Sequence, residues 1–147
     1  MLPILLSLLV SPAQAQKEFR VGGCASDLLS DCVLLGVVAE YGHGPYSIGI
    51  STGFPAIYFM ANGKYHLDFD NLRPFAGLGT GVVAMPGFVA PIGGLSLGTD
   101  YNFNKIILRG QMTYALDLTG ELRSMLLDNV MDIDIPLNIS FSILWRL

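Results

Sequence analysis

Charged side chains are scarce in this chain. Only 14% of its 147 residues are Asp, Glu, Lys or Arg, and the formal net charge is −4. With 8 basic residues and no basic stripe, the chain has little to neutralise a row of phosphates, which argues against nucleic-acid binding. There are just 2 cysteines, Cys24 and Cys32, with no histidine close by and the wrong spacing for zinc. No phosphate loop, nucleotide fingerprint or metal-ligand cluster is present, so no cofactor and no metal are expected. The length allows one domain with a real core and is too short for two.

Uninterrupted helix-forming runs are also missing. The apolar run Met1–Val10 is bracketed by Pro3 and Pro12 and is too short to cross a bilayer. It is followed by Ser11-Pro12-Ala13-Gln14-Ala15, a small-x-small cleavage pattern. Residues 1–15 therefore read as a cleavable signal peptide and 16–147 as the mature domain, although no Lys or Arg precedes the apolar run. Arg73 to Asp100 contains no charge between its ends, yet it holds Pro74, Pro86, Pro91 and seven glycines, which no stable helix would tolerate. Export suits the cysteines. Cys24 and Cys32 are the candidate pair for a disulfide, worth roughly 2–3 kcal/mol by loop closure; two free thiols are the alternative.

What the chain does have is two-residue alternation. From Ile133 to Leu147 every odd-numbered residue is large and apolar, while the even ones are polar except for Pro136 and Leu144. Successive side chains of a strand turn to opposite faces, so this is a ribbon with one greasy face and one mostly wet face. The same alternation predicts strands at about 33–41, 46–52, 55–61, 64–70, 73–84, 92–103, 106–117 and 132–147. Residues 16–32 show no clear period. Gly42–Pro45 reads as a turn, and Asn62-Gly63 is a strong hairpin signal. With Asn104-Lys105 as turn residues, Tyr101 meets Leu108, Leu97 meets Met112 and Leu95 meets Tyr114 on one face. Asp100 then meets Arg109 and Gly98 meets Gln111 on the other, so apolar residues and opposite charges sort together. An Asn71-Leu72 turn pairs Asp70 with Arg73 and Leu67 with Ala76. Within 118–131, Leu122, Met125, Leu126 and Val130 have the spacing of a short amphipathic helical turn.

These strands predict an all-β fold, a closed antiparallel up-and-down barrel of about eight strands. The facing follows from composition. A soluble barrel would carry many Lys and Glu outside, whereas the polar face here is rich in Gly and Ser. Small residues relieve crowding in a narrow lumen, where eight strands leave room only for side chains. The barrel is therefore expected to be transmembrane, with lipid on the apolar face and the last strand closing against 33–41. Gly42–Pro45, Asn62-Gly63, Met85–Ala90 and Leu118–Met131 would face outward from the cell, and Asn71-Leu72 and Asn104-Lys105 the periplasm. The lumen would hold a polar network of Glu40, His66, Asp68, Asp100, Arg109, Gln111, Asp134 and Arg146, since buried charges need partners.

Pro74-Phe75-Ala76-Gly77-Leu78-Gly79-Thr80-Gly81 resembles the Pro-aromatic-x-Gly-x-Gly strand of small outer-membrane barrels of the OmpA, OmpX and OmpW kind. The C-terminal alternation is similar to their terminal assembly strand, with Leu147 where an aromatic residue is usual and Trp145 two residues earlier. The resemblance implies an outer-membrane protein of a Gram-negative envelope, in contact with the bilayer and lipopolysaccharide. Its expected role is non-enzymatic, in envelope structure or surface interaction, with protein contacts at Met85–Ala90 and Leu118–Met131. Two other readings are a lipid A acyl-chain enzyme, for which His43, Ser47 and the His66/Asp68 pair are the candidate groups, and a soluble periplasmic barrel binding a hydrophobic ligand.

Overall fold

The computed structural model of the chain describes residues 17–26, 35–54, 57–85, 87–117 and 137–147. They form eight strands: β1 (Lys17–Ser26), β2 (Leu35–His43), β3 (Tyr46–Phe54), β4 (Ile57–His66), β5 (Leu72–Met85), β6 (Phe88–Phe103), β7 (Ile106–Asp117) and β8 (Leu137–Arg146). Each pairs antiparallel with its sequence neighbour, and β1 pairs back onto β8 to close the barrel. Closure removes the two edges that an open sheet would expose. Alternation decides what lies inside. In β8, Asn138, Ser140, Ser142 and Leu144 are buried in the lumen, while Leu137, Ile139, Phe141, Ile143 and Trp145 stand exposed on the outer wall.

The register deduced for the β6–β7 hairpin is the one observed: Tyr101 opposite Leu108, Asp100 opposite Arg109, Leu97 opposite Met112 and Leu95 opposite Tyr114. Asn104 takes a left-handed φ of 57°, which Asn tolerates well in a two-residue turn. The β4–β5 register differs by two residues. The turn residues are Asp70 (φ 50°) and Asn71, with reciprocal backbone bonds between Phe69 and Leu72, so Ala76 pairs with Tyr65 and not with Leu67. A shift of two keeps every side chain on its own face, which is why facing alone could not detect it.

The strand count of eight stands, but its composition differs. The expected strands 55–61 and 64–70 are one strand, β4, running straight through Asn62-Gly63. Both residues pair on either side, with Gly49 and Ile48 of β3 and with Gly79 and Leu78 of β5. A local turn signal has lost here to ladders on two sides. The missing strand is β1, hidden because Gly22, Gly23, Cys24 and Ala25 make its two faces look alike. A Cβ at Gly22 would fall on the Ile143 carbonyl, so the smallness that hid the strand is what lets it close against β8. The barrel seam is therefore β8 with β1, Val21 opposite Trp145, and not β8 with 33–41.

Restoring β1 also corrects the ends. Gly44-Pro45, Asp70-Asn71 and Asn104-Lys105 all turn at the end where β1 begins and β8 finishes. Gly42–Pro45 thus shares an end with the two turns it was expected to oppose. The connections 27–34, 55–56, 86–87 and 118–136 join strands at the other end. Met85–Ala90 is no open loop, because Met85 pairs with Phe88 and Ala84 with Val89. The proposed helical turn in 118–131 lies outside the described residues.

Candidate functional site

Inward-pointing residues of seven consecutive strands meet in one ionic cluster inside the barrel. Arg109 of β7 is its hub. Its Nε and Nη2 donate to the two Asp100 oxygens at 2.6 and 2.9 Å, and its Nη1 and Nη2 donate to the two Glu40 oxygens at 2.7 and 3.1 Å. A planar guanidinium can fork onto two carboxylates at once, which a lysine ammonium cannot. Arg20 of β1 joins from the other side, donating through Nη1 to Glu40 at 2.9 Å and through Nη2 to Glu18 at 2.6 Å. Lys64 of β4 adds a longer contact to Glu40 at 3.4 Å. Glu18, Glu40 and Asp100 thus face Arg20, Lys64 and Arg109, three charges of each sign. That balance matters, because an ion taken from water costs several kcal/mol and only close, multiple partners offset it.

The aromatic of the Pro-Phe-x-Gly-x-Gly stretch lies beneath this cluster. Phe75 points inward, with Arg109 Cζ 4.9 Å and Lys64 Nζ 5.2 Å from its ring centre and the His66 ring 5.3 Å away. The ring quadrupole attracts both cations. The ring has space because Gly98 opposes it: a Cβ there would lie 2.5 Å from Phe75 Cζ. Glycines on the inner face of β5 and β6 therefore accommodate large side chains from neighbouring strands: Phe75 over Gly98, Lys64 over Gly77 and Met60 over Gly79.

His66 completes the cluster. Its Nε2 lies 2.9 Å from Ser47 Oγ, and its Nδ1 lies 3.7 Å from Asp100 Oδ2. Ser, His and Asp stand in the order of a nucleophile, a base and an orienting acid. The surroundings do not suit that chemistry. All three are buried, Asp100 is committed to Arg109, and neither Ser47 nor His66 lines the cavity of about 340 Å³ at the barrel mouth. His43, expected beside Ser47, is exposed on the outer wall, while Ser47 points into the lumen. Glu40, His66 and Asp100 also offer three ligand atoms within 4.8 Å of one another. Their carboxylates already accept from Arg109, Arg20 and Lys64, so a metal ion would have to displace fixed cations.

A second tier closes the mouth at the end where β1 begins and β8 finishes. Glu18 accepts from Arg20 and lies 3.3 Å from Arg146 Nε, Arg146 Nη2 donates to Asn102 at 3.0 Å, and Arg73 pairs with Asp68. The other end holds an apolar cluster beside the buried polar Ser51 and Asn138. Tyr58, Met60, Val83, Ala90 and Ile92 form an apolar cluster, in which Tyr58 donates to the Met60 sulfur at 2.7 Å.

Of the eight residues expected in the network, Glu40, His66, Asp100 and Arg109 come together, and Gln111 is buried nearby with Nε2 donating to Thr113 at 2.9 Å. Asp68 and Arg146 belong to the mouth, where Asp68 is 44% exposed in its side chain. Asp134 lies outside the described residues, as does Cys32. Cys24 is buried on the lumen face with Val38, Ile107 and Leu144. The expected network lacked Glu18, Arg20, Lys64 and Phe75, and Ser47 was expected beside His43 and not on His66. Arg20 went with the unseen β1. Lys64 shares the parity of His66 and stands on the same inner face of β4.

No protein family, no curated protein and no solved structure matches this chain.

Proposed function

We propose that the chain is an integral outer-membrane β-barrel with a side-chain-filled lumen, non-enzymatic, serving envelope structure or surface interaction. One observation carries the reading: the charge is inside. Glu18, Arg20, Glu40, Lys64, Arg73, Asp100, Arg109 and Arg146 all occupy inward positions. Among the described side chains, Lys17, the first residue of β1, is the one Asp, Glu, Lys or Arg at an outward strand position. Water would reward the reverse arrangement, whereas hydrocarbon penalises an outward charge and favours Ile48, Leu78, Leu97, Ile139 and Phe141, all exposed.

The aromatics add a second argument. Tyr41, Tyr46, Tyr65, Tyr101 and Trp145 ring the outer wall at the end where β1 begins and β8 finishes. Such a belt suits the boundary of a membrane, where one part of the ring is dry and its polar tip is wet. Strands of 9–16 residues are long enough to cross at the usual tilt. With eight strands, both termini and the tight turns belong at the periplasmic side, and 27–34, 55–56, 86–87 and 118–136 at the exterior. The similarity of residues 74–81 to small outer-membrane barrels points the same way. The bilayer is the partner, lipopolysaccharide its outer leaflet, and 118–136 the longest stretch for a protein contact.

Membrane fractionation followed by electrophoresis of heated and unheated samples tests this. The chain should sediment with outer membranes, need detergent for extraction and change mobility on boiling. Release by osmotic shock in plain buffer would refute the proposal and favour the soluble barrel.

A further inference from the structure

The tight-turn end of the barrel carries a cavity of about 340 Å³. Its walls are charged side chains of both signs, and Gly42 and Gly44 add backbone alone. The volume is near the lower limit of the roughly 300–1,000 Å³ of small-molecule sites. An occupant must therefore be small, and walls of this kind select a polar one.

The charges fall into two sets. Glu18 and Arg20 are spent on each other, with Arg20 donating to Glu18 through Nε at 3.0 Å and through Nη2 at 2.6 Å. That leaves Arg73 and Arg146 to balance Asp68 and Asp70, and both pairs have capacity to spare. Arg73 gives Nε to Asp68 and Nη2 to the Gly44 carbonyl at 3.3 Å, but its Nη1 stands 3.9 Å from Glu18, too far for a hydrogen bond. Arg146 has no carboxylate to itself. Its Nε lies 3.3 Å from the Glu18 that Arg20 already holds, and its Nη2 and Nη1 donate to neutral partners, Asn102 at 3.0 Å and the Asn104 carbonyl at 3.5 Å. Both arginines stand within 4 Å of one Glu18 carboxylate, so they are close enough to share an anion. On the acidic side, the Asp70 carboxylate has no partner among the described residues, and Asp68 meets Arg73 through one oxygen while its side chain is 44% exposed.

This balance selects the ligand. A lone anion would gain the arginines and leave Asp68 and Asp70 in excess around it, and a lone cation would do the reverse. A zwitterion satisfies both sets and leaves the mouth neutral. In an α-amino acid the carboxylate and the ammonium are attached to one carbon, so both charges fit in a cavity this small. We propose that the mouth cavity binds a free α-amino acid, with its carboxylate on Arg73 and Arg146 and its ammonium on Asp68 and Asp70. The site lies within the barrel rim, so it is independent of what surrounds the outer wall.

Calorimetric titration of the folded full chain with the common free α-amino acids, one at a time, tests this. At least one should bind at one site per chain. Its amide lacks the carboxylate and its N-acetyl derivative lacks the ammonium, so each should bind about ten-fold or more weakly. Asp70→Asn keeps the turn, because Asn tolerates the φ of 50° at this position, and should weaken the amino acid by about ten-fold while leaving the N-acetyl derivative unchanged. Arg146→Gln should weaken the amino acid and the N-acetyl derivative alike and serves if the first variant folds poorly, with circular dichroism reporting the fold. A chain that binds no amino acid would overturn the proposal, as would Asp70→Asn binding like wild type. So would an N-acetyl derivative or inorganic phosphate bound as tightly as the amino acid, which would make the cavity a plain anion site.

Discussion

Arg109 is buried between two carboxylates, and each of them relies on it. Glu40 has Arg20 and Lys64 as further partners, whereas Asp100 has Arg20 only at 3.5 Å and His66 at 3.7 Å. Replacing Arg109 with Met should therefore leave Asp100 with the larger deficit. We expect a loss of about 3–5 kcal/mol in denaturant unfolding, the usual cost of stripping one partner from a buried pair. Asp100→Asn in that background should recover part of it, since a neutral amide is cheaper to bury than an uncompensated carboxylate. No recovery in the double variant would place the stabilising role of Arg109 in its packing on Phe75. The Asp100–Arg109 pair was legible in the sequence because hairpin register makes it local. The arrival of Glu40 from β2 and Arg20 from β1 was not, because those contacts cross the lumen and depend on closure.

At the level of the strand, β8 shows how far alternation can be trusted. Its odd residues point outward and its even residues inward, as the period demands, but a period does not say which side is wet. A depth profile can. Ile139 pairs with Met112 well inside the wall, while Phe103 sits beside the Asn104-Lys105 turn. If lipid surrounds the barrel, Ile139→Arg should cost about 2–4 kcal/mol in vesicles and Phe103→Arg about 0–1 kcal/mol. Similar small costs at both sites would mean the wall is solvated. The errors of strand reading have the same origin. In β1 small residues erased the contrast between faces, and in β4 Asn62-Gly63 imitated a turn whose geometry the flanking ladders do not permit.

For the molecule as a whole, the lumen is filled in tiers: the Glu18 mouth, the Arg109 cluster, and the apolar plug of Tyr58, Met60, Val83, Ala90 and Ile92. Reconstituted in a planar bilayer, the chain should show no sustained conductance, and a stable open channel would contradict a lumen filled in this way. The alternation, the glycine-rich face, the β6–β7 register and the barrel class were all determined by the sequence alone, because each depends on neighbours along a strand or across one hairpin. Only the tertiary structure decided the seam between β8 and β1, the shared end of the three turns, and the convergence of Arg20, Glu40, Lys64 and Phe75 on Arg109. Those features depend on closing the sheet, which brings residues from opposite ends of the chain to one axis, and local periodicity carries no record of that closure.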